Sequence, residues 1–224
     1  MTAQDVHLLI LIHGMWGSPS NLASMHRIMK EIRLNDSSVD PDGKALHIML
    51  AETNQAESTY DGIDWGGERV ATEVSLVVPF LSGSVSKRLF QVFEEIEKLE
   101  KEGKRVTRFS VTGYSLGGLL GRYLVGYVFS LFCPHYLTLP CTLNSILHRR
   151  KFFATVTPVN FNTVATPHVG LLPYPSLLSR LGSVLGPRLL GRTGKQLYTV
   201  DKWSKTGKPL LAVMADPGMV IFHH

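Results

Sequence analysis

Arg108-Phe109-Ser110-Val111-Thr112-Gly113-Tyr114-Ser115-Leu116-Gly117-Gly118-Leu119-Leu120-Gly121-Arg122 changes character at its midpoint, and that change decides the fold. Upstream, the β-branched residues Val106, Thr107, Val111 and Thr112 predict a strand. Downstream, from Leu116 to Phe129, apolar residues fall at helical spacing. Between them sits Gly113-x-Ser115-x-Gly117. A strand that becomes a helix this abruptly holds its central residue in a strained backbone conformation. The residues two before and two after must be small, or their Cβ atoms collide with neighbouring chain. Such a turn lifts the Ser115 hydroxyl clear of the sheet, at the positive end of a helix. The bare pattern also fits a Gly-rich turn with an idle serine. The flanking strand and helix, with Gly118 and Gly121 allowing close packing, favour Ser115 as a nucleophile.

Towards the N-terminus, Val6 to Ile12 is a continuous apolar run, as expected of a strand buried on both faces of a parallel sheet. It ends in His13-Gly14-Met15-Trp16-Gly17-Ser18-Pro19. A loop of this kind can supply half of an oxyanion hole. The backbone N–H of Met15 is then one donor and that of Leu116 the other, placed to stabilise an oxygen that gains negative charge in acyl transfer. His13 suits a loop-holding hydrogen bond better than the role of a base.

Leu22, Met25, Ile28, Met29 and Ile32 predict a helix over Asn21 to Leu34 with Ser20 as its cap. Ala45 to Ala51 reads as a second strand. In the polar segment that follows, Asp64 reads first as the cap of a helix over Glu68 to Phe80 and second as a residue with a catalytic role. Lys87 to Lys101 is amphipathic and is closed by Gly103. Pro158 to Ala165 resumes as a strand, followed by Thr166-Pro167-His168-Val169-Gly170. Leu171 to Leu190 is rich in Leu, Pro and Gly, which suits either an apolar cover over an acyl pocket or plain core. Pro209 to Met214 reads as one more strand. The alternation of strands and helices predicts an α/β fold with a mostly parallel sheet and its site at the carboxyl ends of the strands.

The 224 residues suffice for a single domain, 1–224. A hydrophobic fraction of 44% with 18% charged residues describes a folded chain. The net charge of +5 comes without a dense Lys/Arg run, which argues against nucleic acid as a partner. The N-terminus has no basic region before an apolar core, and Cys133 and Cys141 form no disulfide framework. An intracellular, cytoplasmic location without secretion is therefore expected. His13, His168, His223 and His224 lack metal-ligand spacing, so neither a metal nor another cofactor is expected.

Five segments together resemble the eukaryotic serine esterase/lipase family of α/β-hydrolases, particularly its fungal members, which include lipid-droplet phospholipases. They are His7 to Gly17, Thr59-Tyr60-Asp61-Gly62-Ile63-Asp64, Gly67-Glu68-Arg69-Val70-Ala71, Val111 to Leu124, and Asn162 to Gly170. The resemblance implies hydrolysis of acyl esters on lipid, with Ser115 as nucleophile. It also implies peripheral association with lipid droplets or membranes. Two departures stand out. Residues 127–145 interrupt a segment that is continuous in the family, as a lineage-specific loop or as translated intron sequence. The family's catalytic acid and base also lie beyond Asp216, in a segment this chain does not match, so the sheet is expected to lack its last strand or strands. Asp216 lies before the family's acid position, and His223 and His224 end the chain. His168, on the loop after the strand beside the elbow strand, is the candidate base.

The expected activity is that of a serine lipase or esterase acting on glycerolipid or phospholipid esters through a Ser115 acyl-enzyme. The rivals are an impaired hydrolase or fragment that binds lipid or a partner, and an acyltransferase using the same serine. Without a base, serine is a weak nucleophile.

Overall fold

The structure, a computed structural model, describes residues 3–35, 45–71, 96, 98–130, 155–171 and 185–215. Its centre is a parallel sheet of four strands in the order β2-β1-β3-β4, with β1 at Gln4–Ile12, β2 at Ala45–Leu50, β3 at Lys104–Tyr114 and β4 at Thr157–Val164. The α-helices that join it include α1 (Ala23–Asn35), α2 (Ile63–Ala71), α3 (Leu116–Ser130), α4 (Gly191–Leu197) and α5 (Leu210–Met214), and residues 98–101 and 185–189 are helical as well. This is the α/β architecture that the alternating pattern predicts.

The two central strands explain the sheet's stability. Leu8, Ile10, Ile12, Val106, Phe109 and Val111 are buried, and they pack with Leu119, Leu120 and Leu124 of α3 and with Ile63 and Val70 of α2. The opposite face of β1 buries Leu9 and Leu11 against Leu22 and Ile48, with Met25 and Met29 of α1 packed alongside. Burying each such side chain contributes about 1.5–3 kcal/mol. Strand β4 is different. Its residues are mostly exposed, including Val159, Phe161 and Val164, and β3 is its sole sheet neighbour among the described residues.

Several local expectations are corrected. Ile28 and Ile32 of α1 are about half exposed. The buried stripe is Leu22, Met25 and Met29, with the two isoleucines on its flank. The turn into α1 is capped from Ser18 rather than Ser20: the Ser18 N–H donates to Asn21 Oδ1 at 2.7 Å, ahead of a 3-10 turn at Pro19–Leu22. Helix α2 begins at Ile63, so Asp64 lies in its first turn and does not cap a helix that starts at Glu68. Pro209 to Met214 is not a strand. Pro209 stands at the N-cap of α5, whose Leu210, Leu211, Val213 and Met214 are buried. A run this short carries no period that separates strand from helix. Gly103 does close the preceding helix, in a left-handed conformation with its N–H on the Glu100 carbonyl at 3.0 Å.

The body of the Lys87–Lys101 helix lies outside the described residues, as do most of Leu171–Leu190, the greater part of 127–145 with both cysteines, and Asp216, His223 and His224. Among the described residues no helix is long and apolar enough to cross a membrane.

Candidate active site

Strand β3 runs into Ser115 and α3 begins at the next residue. Ser115 has φ +52°, a left-handed conformation that costs a non-glycine residue of order 1–3 kcal/mol. The surroundings hold it there. The Ser115 N–H donates to the Val164 carbonyl at 2.8 Å, which carries the β3–β4 pairing through the turn. The Ser115 carbonyl accepts from the Gly118 N–H at 3.1 Å and from Thr166 Oγ1 at 2.9 Å.

The flanking glycines have a steric reason. A Cβ on Gly113 would stand 2.4 Å from the Gly118 backbone, and one on Gly117 would stand 2.2 Å from the Ile12 carbonyl oxygen. Gly118 leaves room for the Thr166 side chain, whose Oγ1 would lie 2.0 Å from an added Cβ. The small residues of the elbow therefore let β1, β3, α3 and the loop after β4 converge on one serine. Among the described residues the Ser115 hydroxyl has no hydrogen-bond partner.

The loop after β1 lies directly beside this turn. A Cβ on Gly14 would come 3.0 Å from Ser115 Cβ and 3.2 Å from the Tyr114 carbonyl. The loop is itself a turn: the Gly17 N–H donates to the Gly14 carbonyl at 3.1 Å, and Trp16 has φ +56°. The N–H groups of Met15 and Leu116 have no protein acceptor among the described residues, and Leu116 opens α3, where backbone N–H groups lack intrahelical partners. His13 is buried, with Nδ1 on the Gly14 carbonyl at 3.0 Å. A carbonyl only accepts, so Nδ1 carries the proton in that bond. Burial pulls the His13 pKa below the ordinary imidazole value, and the Gly14 bond partly opposes this.

His168 lies on the loop that follows β4, with Nε2 2.9 Å from Thr163 Oγ1. Its pKa is lowered by burial and then by the nearby Arg122 charge. No hydrogen bond joins its ring to Ser115. The His168 backbone is nevertheless tied to the elbow helix. Arg122 of α3 donates one guanidinium nitrogen to the His168 carbonyl and another to the Met214 carbonyl, both at 3.0 Å. Sequence reasoning passed over Arg122 and Thr166, because a backbone carbonyl as partner leaves no mark in a side-chain pattern.

Asp64 occupies a buried cluster of its own. Its carboxylate accepts from Gln196 Nε2 and Trp203 Nε1, each at 2.9 Å, and forms an ion pair with Arg192. These bonds occupy Asp64 in tying α2 to α4. Among the described residues no group of three or more His, Cys, Asp or Glu side chains comes together to hold a metal ion.

Comparison with known proteins follows the same lines. Residues 2–223 match the family described as "Putative serine esterase (DUF676)". The chain is 29% identical over 222 residues to "Putative lipase C4A8.10" of Schizosaccharomyces pombe, an alignment covering 98% of this chain and 23% of that protein. It is 26% identical over 114 residues to "Putative lipase ROG1" of Saccharomyces cerevisiae, covering 49% of this chain and 13% of that protein. The chain thus spans less than a quarter of the length of these curated relatives. No solved structure matches it.

Proposed function

The chain belongs to the putative serine esterase family DUF676, and from that premise we propose that it is a serine lipase or esterase, hydrolysing acyl esters of glycerolipids or phospholipids through an acyl-enzyme on Ser115. The observation that carries the reading is the strained Ser115 at φ +52°, with its side chain against the Gly14 loop. Strain at one residue, over-determined by its neighbours, is a feature of functional sites.

In the proposed reaction Ser115 Oγ attacks the ester carbonyl carbon and gives its proton to a general base. The carbonyl oxygen becomes an anion, received by the Met15 and Leu116 N–H groups. Collapse of the tetrahedral intermediate breaks the bond to the alcohol, which leaves with the proton. Water then releases the acid from Ser115 by the same route. Each oxyanion donor of this kind contributes about 2.7–4 kcal/mol to the transition state. His168 is the base candidate among the described residues, with Nε2 held by Thr163 Oγ1. Asp216, His223 and His224 fall outside the described residues.

A lipid substrate is supported by the surroundings of the serine. Trp16, Tyr114 and Val169 expose 65%, 48% and 74% of their surface. They follow or end β1, β3 and β4, and since these strands are parallel, all three lie at the same end of the sheet as Ser115. Exposed apolar side chains around a reactive group suit acyl chains and peripheral contact with a lipid surface.

The test is labelling of the 224-residue chain with a fluorophosphonate probe, beside Ser115→Ala. Labelling of the wild type that vanishes in the variant supports an activated serine. Among the described residues no base is hydrogen-bonded to Ser115 Oγ, which favours a second reading, a scaffold that binds acyl lipid without turnover. A folded chain that takes no label but retains acyl lipid supports that one instead. An acyltransferase would label as well and is separated by transfer of a labelled acyl group to an added alcohol.

A further inference from the structure

Trp16 is an odd residue for its position. It is the third residue of the turn from Gly14 to Gly17 and has φ +56°. Turns with a left-handed third residue take Gly or Asn there, and a bulky aromatic is an outlier. Packing does not explain it, since Trp16 is 65% exposed. Besides the bonds that His13 and Gly17 make to the Gly14 carbonyl, the Trp16 side chain is itself tied: its indole Nε1–H donates to the hydroxyl of Tyr60 at 2.7 Å.

Tyr60 is firmly placed. It ends the 3-10 turn Ala56–Tyr60, and the residues on both sides of it are clamped to α4. Thr193 Oγ1 donates to the Thr59 carbonyl at 2.6 Å and accepts from the Gly62 N–H at 2.9 Å. The Ile63 N–H donates to Gln196 Oε1 at 2.6 Å. The Tyr60 carbonyl oxygen lies so close to Gly191 that a Cβ there would come within 2.9 Å of it. A rigid post therefore holds the tip of a strained, solvent-exposed turn, and that turn carries the Met15 N–H.

We propose that Tyr60 is a positioning residue for acyl transfer: by accepting the Trp16 indole hydrogen bond it holds the Gly14–Gly17 turn in the conformation that aims the Met15 N–H at the substrate oxygen. The inference rests on the reading of Ser115 and Met15 given above. Tyr60 touches no reacting atom. Its effect falls on the transition state, because an oxyanion donor helps only when it points at the charge as it develops.

The test compares wild type, Tyr60→Phe, Trp16→Phe and the double variant. The readouts are hydrolysis of a soluble short-chain p-nitrophenyl ester and the rate of fluorophosphonate labelling, with Ser115→Ala as the blank. Each single variant should lower kcat and the labelling rate roughly tenfold, within the 10²-fold range that misplacement of a catalytic group produces, and leave KM nearly unchanged. The double variant should be no slower than the worse single one, since both remove the same bond. In NMR spectra the Trp16 indole proton, identified by its loss in Trp16→Phe, should lie downfield in wild type and move upfield in Tyr60→Phe. A variant Tyr60→Phe that reacts within twofold of wild type, single effects that multiply, or an indole proton indifferent to Tyr60 each overturns the proposal. If wild type neither hydrolyses nor labels while folded, the function assigned to Ser115 fails and takes this proposal with it. If wild type labels and Tyr60→Phe labels equally fast, the positioning role alone is lost.

Discussion

Thr166 Oγ1 donates a hydrogen bond of 2.9 Å to the carbonyl oxygen of Ser115, so the loop after β4 braces the strained residue from the C-terminal side. Thr166→Val keeps the shape and removes the donor. Losing one such bond costs about 0.5–1.5 kcal/mol. The expected result is a Tm lower by a few degrees together with slower fluorophosphonate labelling. An unchanged Tm and labelling rate would show that the Gly118 N–H braces the turn unaided.

Gly117 and Gly103 should respond very differently to the same substitution. An alanine Cβ at 117 meets the backbone oxygens of Ile12 and His13 at 2.2 and 2.5 Å. Neither can move without displacing β1, so Gly117→Ala should cost on the order of 4 kcal/mol, within the exceptional tail of point substitutions. Gly103 has φ +74° and nothing within 4 Å of an added Cβ. Gly103→Ala should therefore show the left-handed penalty alone, roughly 1–2 kcal/mol. Urea denaturation measures both, and similar losses at the two positions would contradict the steric account of the elbow.

Asp64 is the acceptor for three donors from the C-terminal part of the chain. Asp64→Ala strands Gln196 and Trp203 and removes the partner of Arg192, which keeps its stacking over Trp65 at 5.8 Å. Truncating one side of a buried ion pair costs about 3–5 kcal/mol; the low end applies here because Arg192 is half-exposed. Thermal melts should reveal a large fall in Tm. Retention of the wild-type Tm would mean that the cluster is dispensable to the fold.

Acidification should destabilise the protein through His13. Its folded pKa lies below the ordinary imidazole value of about 6.5, so the unfolded chain binds the proton more readily. The neutral ring's contribution is present above pH 6.5 and is lost as the pH falls from there towards the folded pKa. His168 shifts in the same direction and adds to the effect. Urea midpoints should fall between pH 7.5 and 5.5, and His13→Asn should flatten the dependence. A slope that survives the substitution unaltered would assign it to other groups.

The sheet and elbow were legible because their residues announce a geometry locally. Leu8 to Ile12 is apolar without a period, as a doubly covered strand must be. The spacing of Gly113, Ser115 and Gly117 has one steric solution when strand and helix flank it. The errors fell where local pattern is silent or shared. Five residues from Leu210 to Met214 fit either period, and Ile28 and Ile32 join the helical stripe in sequence but stay about half exposed in the fold. The Asp64 cluster, the Arg122 fork and the Trp16–Tyr60 bond pair residues between 44 and 139 positions apart. Such bonds form only once the fold has brought their elements together.

The pairing of Gln4 with Lys104 has a consequence in time. A parallel partner cannot be reached by a tight hairpin, and although β2 is made sooner, the other edge of β1 must wait for a strand made a hundred residues later. At about 5–20 residues per second, ribosomal synthesis leaves its apolar run without that neighbour for about 5–20 s. The nascent chain should therefore be a client of holding chaperones during that interval. The serine that needs β1, β3, α3 and the loop after β4 at once should be among the last features of the domain to become reactive.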